Sequence, residues 1–265
     1  MRTRTRHLLT GVLAVLFTLA AAPALTAQEE SADITEMIRL EVPVGQQQAF
    51  EEGLKAHHQV AADQGVDETV VVWQVVTGKH SGDYYIGFVG RSWSDFDQPM
   101  AEDPEAMQQS IQENVAPHVK AYETTFWRHR PEMSYHAEEG GGALDPMMTV
   151  TFFYLDDPGA MGEAAREITR VAGEADFQGD GWDMHTLEYG GGAVWALASG
   201  RENWAGLAEP ETTLWSVLSE HKSEHEMDAL EHQLDEAIDS ARSEVFRFRE
   251  DLSHTPGMGE GEGEM

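Results

Sequence analysis

Alternation of apolar and polar positions begins at Ile34. Ile34, Ile38, Leu40 and Val42 fall on one side and Thr35, Met37, Arg39 and Glu41 on the other, the period of a half-buried strand. Pro43 and Gly45 end it. Phe50, Leu54, His57 and Ala61 then recur at helical spacing and predict a helix to about Ala62, closed by Gly65. Residues 70–77 are rich in β-branched side chains, Ser81-Gly82-Asp83 is a turn, and residues 84–89 follow at hairpin distance. After a connection over residues 93–99, Met107, Ile111, Val115 and Val119 mark a helix within residues 105–122, which Pro117 should kink or interrupt. Residues 124–130 return to strand.

The order strand, helix, strand, strand, helix, strand then repeats beyond residues 138–145, where Gly140, Gly141 and Gly142 mark a linker. Residues 147–155 alternate as a strand, 160–175 are helical, and 181–189 with 193–199 form a hairpin around Gly190, Gly191 and Gly192. Residues 212–241 are helical, but Leu214 and Leu218 do not share a face with Met227, Leu230, Leu234 and Ala241. Ser223 and Glu226 make a capping box at the change of phase, which predicts a short helix followed by a longer one. The last strand is expected at residues 244–249.

The halves also match residue by residue. Phe126-Trp127-Arg128-His129-Arg130-Pro131-Glu132-Met133-Ser134-Tyr135 corresponds to Val245-Phe246-Arg247-Phe248-Arg249-Glu250-Asp251-Leu252-Ser253-His254. Trp73 pairs with Trp182, Trp93 with Trp204, and Pro99 with Pro210. These correspondences divide the chain into a first unit at 34–137, a linker at 138–145 and a second unit at 146–254.

The two ends read differently. Arg2, Arg4, Arg6 and His7 precede an apolar run and then small residues through Ala27, the pattern of a secretory signal peptide over residues 1–27. A retained membrane anchor is the alternative, although the run is shorter than a bilayer span requires. The expected location is therefore periplasmic or extracellular. Residues 28–33 are expected to form a flexible leader, and residues 255–265, with the Gly and Glu alternation of 257–265, a disordered tail.

Composition narrows the chemistry. The chain has no cysteine, which removes thiol catalysis and thiolate metal sites. Lys and Arg together number 17 against 48 Asp and Glu, a net charge of −31; loss of the three arginines of the signal leaves 14 basic residues and −34. Such a surface repels nucleic acid and anionic membranes, so neither is expected as a partner. A highly acidic surface also suits a saline medium, where salt screens the repulsion. HExxH and phosphate-binding glycine loops are absent.

A strand, helix, strand, strand, helix, strand unit folds as a four-stranded antiparallel sheet covered by helices on one face, and two such units can hide their open faces against each other. Val42-Pro43-Val44-Gly45 followed by Phe50 and Leu54, together with the matching final strands, resembles the dimeric α+β barrel superfamily. That group includes antibiotic-biosynthesis-type monooxygenases, stress-responsive barrel proteins and NIPSNAP-like proteins. The second half departs from the pattern, reading Asp156-Asp157-Pro158-Gly159. The resemblance implies an α+β fold of two ferredoxin-like βαββαβ units, their antiparallel sheets packed as an intramolecular version of the two-subunit barrel. The chain would then be a monomer by internal pseudo-dimer, or a homo-oligomer. The resemblance further implies a small-molecule ligand in the barrel or the cleft between units. Alternatives are a cofactor-free monooxygenase, a haem-dependent protein, or a structural protein with a filled barrel. No cofactor is expected from the residues themselves.

Candidate ligand-binding residues are Arg39, His57, Tyr84, Arg128, Arg130, Arg247 and Arg249. Alternation separates Phe126, Arg128 and Arg130 from Trp127 and His129, and Arg247 and Arg249 from Phe246 and Phe248. Trp127, Phe246 and Phe248 are expected in the helix-covered core, which turns the arginines toward the barrel interior or its rim. There they could fork onto an anionic ligand; pairing with Glu36, Glu41 or Glu188 is the favoured competing reading. His57, His129 and His185 read more readily as core or rim histidines than as ligands. His225, Asp228 and His232 are weak metal candidates, with His221 excluded by the capping box, and a solvated acidic helix explains them better.

Overall fold

The computed structural model describes residues 31–66, 68–99, 101–136, 144–208 and 210–254. The predicted signal peptide, the first half of the leader, the glycine run of the linker and the tail lie outside them. Strands β1 (Ile34–Glu41), β2 (Val70–Val75), β3 (Tyr84–Arg91) and β4 (Ala121–His129) come from the first half, and β5 (Met147–Leu155), β6 (Asp183–Tyr189), β7 (Val194–Arg201) and β8 (Ile238–Phe248) from the second. They close into one barrel in the order β1-β3-β2-β8-β5-β7-β6-β4, with antiparallel neighbours throughout. Each half contributes the same internal order, β4-β1-β3-β2 and β8-β5-β7-β6. Closure leaves no unpaired sheet edge.

Helices α1 (Gln47–Asp63), α2 (Pro104–Ser110), α3 (Pro158–Glu174), α4 (Leu214–His221) and α5 (Glu224–Ala237) lie outside the barrel. Phe50 and Leu54 of α1 bury against Leu40, Val72, Tyr84 and Ile86, while α3 buries Met161 and Ala165 against Met184 and Trp195. Asp103 and Asp157 each cap a helix that begins with proline, accepting two backbone N–H groups apiece. The Ser223 and Glu226 capping box divides α4 from α5 as the change of apolar phase predicts. Among the described residues no helix is long and apolar enough to cross a membrane.

Two predicted elements have different limits. The helix expected over 105–122 is regular only to Ser110; Ile111–Val115 widens into a π-turn and Ala116–His118 tightens to 3₁₀, because Pro117 has no N–H for a regular ladder. The last strand starts at Ile238 rather than near 244, and Ala241, expected at the end of the helix, instead pairs with Phe153. Partnering by β5 over its whole length outweighs the local helical pattern.

The matching stretches at the ends of the halves make the two seams of the barrel. After β4, Arg130 N donates to Met184 O at 2.8 Å, Ser134 Oγ accepts Met184 N at 2.9 Å, and Tyr135 exchanges backbone bonds with Trp182. After β8, Arg249 N donates to Val72 O at 2.8 Å, Ser253 Oγ accepts Val72 N at 2.9 Å, and His254 exchanges bonds with Val70. Each serine also donates to the carbonyl four residues earlier. The short turns that follow cross over: Met133 packs against Met161 and Met184, whereas Leu252 packs against Phe50 and Leu54. This register places Val70 opposite in role to Trp182, and Trp73 to His185. The sequence pairing of Trp73 with Trp182 is therefore displaced by three residues, because indole rings recur without sharing a register. Ser134→Ala and Ser253→Ala should each cost about 1–2 kcal/mol by stranding a backbone donor, and the double variant should show their sum in urea unfolding.

The ring-bearing positions also change sides. Trp127 and Phe246 line the barrel interior with Trp73, Val150 and Phe152, and Phe248 packs with them. Arg128, Arg130, Arg247 and Arg249 consequently lie on the outer side of their strands. Both faces of each sheet are covered here, one by helices and one by the opposite sheet, so alternation alone does not tell which face takes the rings.

Candidate functional site

Strand residues of one parity converge on a lumen of about 440 Å³. Its middle is apolar and aromatic: Met37, Trp73, Tyr85, Trp127, Phe152 and Phe246 form the wall. The indole Nε1 of Trp73 is buried there with no hydrogen-bond partner among the described residues. Ala196 and Ala198 of β7 face the same space and keep it open.

Charged groups gather at the end where Arg39 lies opposite Tyr85 and Glu123. Arg39 donates to Asp83 at 2.9 Å and to Glu123 at 3.2 Å, so its charge is largely matched. Asp83 is nevertheless pushed above the usual carboxylate range, because burial outweighs that partner. The fully buried Glu244 carboxylate accepts the His80 backbone N–H at 3.3 Å and lies 3.4 Å from its ring Nδ1. Gly78, at φ +88°, makes this possible: a Cβ there would stand 2.7 Å from Glu244 Cγ. Arg242 lies over Phe152, 4.9 Å from the ring centroid, with its Nε 3.5 Å from Glu244.

The opposite end is built from β4 and β6, where His129 pairs with His185. Asp183 Oδ1 accepts from His129 Nε2 at 3.0 Å and from His136 Nε2 at 2.9 Å. Burial alone would raise Asp183, but these two bonds outweigh it and hold its pKa below the ordinary value. The His129 and His185 rings are 5.2 Å apart. Burial, and secondarily His129, push His185 down to about 4, so it is neutral near pH 7.

Comparison with known proteins bears on the fold. No family model and no curated protein matches the sequence. The structure is similar to that of a proposed monooxygenase from Lactobacillus acidophilus NCFM, with a TM-score of 0.50 and 13% identity over 86% of this chain and 97% of that one. An anthrone oxidase-like protein matches with a TM-score of 0.50 and 11% identity over 86% and 96% of the two chains. A mutant chlorite dismutase from Candidatus Nitrospira defluvii gives 0.48 at 9% identity, over 82% and 92%. With the closed antiparallel barrel, the first two decide the fold. The chain has the dimeric α+β barrel fold.

Within this dimeric α+β barrel, Arg39 alone among the seven predicted ligand residues lines the lumen. Tyr84 points into the layer under α1, its ring tilted against Phe50 with centroids 4.7 Å apart and its hydroxyl donating to Glu51 at 2.6 Å. His57 lies in the same layer, 3.1 Å from Ser110 Oγ. Arg128 binds Asp33 at 2.7 Å and Glu188 at 3.3 Å, and Arg130 binds Glu132 at 2.9 Å. Arg249 is held by Glu51 and Asp251, and Arg247 is exposed. Glu188 thus serves the pairing expected for it, while Glu36 faces Arg91 and Glu41 binds Lys120.

His225, Asp228 and His232 lie on the exposed face of α5, and no group of three ligating side chains suited to a metal occurs among the described residues. Sequence reasoning missed the joint placement of His129, Asp183 and His185, and the lumen roles of Trp73, Tyr85 and Arg242. Their strand parity was readable; which parity faced inward was not.

Proposed function

We propose that the lumen binds one small, flat and largely aromatic molecule. The observation that carries this reading is the open volume of about 440 Å³ walled by Trp73, Tyr85, Trp127, Phe152 and Phe246. An eight-stranded barrel holds either packed side chains or one small ligand, and mainly apolar pockets with a few polar groups are the common form of such sites. Trp127 meets Phe152 at 6.2 Å and Tyr85 meets Phe246 at 5.2 Å, yet about 440 Å³ stays open beside these rings, which a filled barrel would lack. We further read the chain as an internally duplicated, exported barrel whose acidic surface disfavours nucleic acid and membranes, and which is complete as a monomer.

Naphthalene is a suitable first probe, followed through the fluorescence of Trp73 and Trp127. Saturable binding is expected, and Ala198→Phe, which places a ring in the open volume, should weaken it by about tenfold or more while the protein stays folded. Unchanged affinity in that variant would move the site out of the lumen.

A second reading, a cofactor-free monooxygenase acting on the held molecule, is supported by the acid and imidazole groups at one end and by the similarity to a proposed monooxygenase and an anthrone oxidase-like protein. Dioxygen consumption on addition of anthrone would separate it from simple binding.

A further inference from the structure

The two seams of the barrel are built alike, which makes each an internal control for the other. Position by position, Val70 corresponds to Trp182 and Val72 to Met184, as the shared backbone and serine bonds require. The lumen-facing positions between and beyond them then align as Val71 with Asp183, Trp73 with His185, and Phe248 with His129. In one seam these are packed apolar groups, with Trp73 and Phe248 rings 6.3 Å apart. In the other they are a carboxylate and two imidazoles, with the rings 5.2 Å apart.

The scaffold does not need polar groups at these positions, since the first seam closes without them. Burying a carboxylate and an imidazole costs free energy unless each finds a partner. Asp183 finds His129 and His136. His185 has no hydrogen-bond partner among the described residues, although it faces the lumen.

Resting on the reading that the lumen holds an aromatic molecule, we propose that the seam of His129, Asp183 and His185 is a recognition site for a ring hydroxyl, so that the ligand class is a phenol or enol. A neutral imidazole offers one donor and one acceptor, and a hydroxyl group needs both. Asp183 lines the lumen beside it and repels a ligand carboxylate. Its negative charge is already shared between two imidazole N–H groups, which weakens its pull on an ammonium. The aromatic belt of Trp127, Phe152 and Phe246 holds the ring, and His185 reads the substituent.

The test compares naphthalene, 2-naphthol and 2-methoxynaphthalene by tryptophan fluorescence on the full protein. The expected result is a preference for 2-naphthol over the methyl ether of about tenfold, the order expected for one satisfied buried hydrogen bond. His185→Phe should erase that preference while naphthalene still binds, and His185→Gln, which keeps a donor and an acceptor, should retain part of it. If His185→Phe fails to fold, the smaller His185→Leu serves, which likewise removes both ring nitrogens and should erase the preference. Equal binding of the naphthol and its ether by the wild type, or a preference that survives His185→Phe, would overturn the hydroxyl site while leaving the lumen reading intact. Failure of naphthalene itself to bind would overturn the lumen reading and this site with it.

Discussion

Gly53→Ala should destabilise the protein by about 2 kcal/mol or more, although alanine is the better helix former by about 1 kcal/mol. Gly53 lies within α1, where a Cβ would come 1.9 Å from the carbonyl oxygen of Asn114 and 2.8 Å from its carbonyl carbon. Both atoms are backbone, so no rotamer change relieves the clash. The segment carrying Asn114 is also tied down, through the 3.1 Å contact of His57 with Ser110 and the 3.2 Å bond from Asn114 to Ser110. The helix must lift from the 111–115 turn, opening the layer that buries Phe50 and Leu54. Gly173→Ala in α3 is the control, because nothing lies within 4 Å of its Cβ. It should stabilise by a few tenths to about 1 kcal/mol. Urea midpoints that move in the same direction for both variants would refute the clash as the deciding effect.

Stability should also fall steeply in mild acid. His185 and His58 are both pushed down to about 4, chiefly by burial, while an unfolded imidazole titrates near 6.5. Between these values the unfolded chain binds protons that the folded chain refuses, so stability rises with pH across the window and is lost as pH falls through it. Each histidine contributes a loss of roughly 1–3 kcal/mol by pH 4, with the lower figure allowing for residual solvent contact. Asp183 acts in the same direction further down, since its depressed pKa keeps it charged until lower pH. Unfolding free energy measured at several pH values should show a slope between 6.5 and 4 that His185→Phe reduces. A flat profile in the wild type would mean that neither imidazole is kept neutral by the fold.

The repeated order of elements was legible in the chain because each rests on local signals: alternation in β1 and β5, the stripe of Phe50 and Leu54, and the box of Ser223 with Glu226. The matching stretches ending at Tyr135 and His254 were also visible, and the structure gives their cause in the Ser134 and Ser253 clasps. What failed was the side of the sheet. Trp127 and Phe246 would satisfy a helix-covered core as well as a lumen, and nothing local distinguishes the two. The arginines were assigned by exclusion and shared the error, except Arg39, which stands on β1. The imidazole and carboxylate seam had no motif, since His129 and Asp183 meet only when the barrel closes. The comparison of the two halves could have found it, once register rather than the recurrence of tryptophan set the alignment.

The seams also set an order of events for folding. Hairpins such as β6 with β7 are near in sequence and need no other part of the chain. The seam that joins Val70 to His254 needs almost the whole described chain. Until Phe248 reaches Trp73, the first sheet keeps β2 as an open edge with Val71 and Trp73 uncovered. Such long-range closure is slow, and an uncovered strand invites pairing between molecules. A chain cut before Val245 would hold α1 to α5 and β1 to β7 in full, yet should aggregate rather than fold.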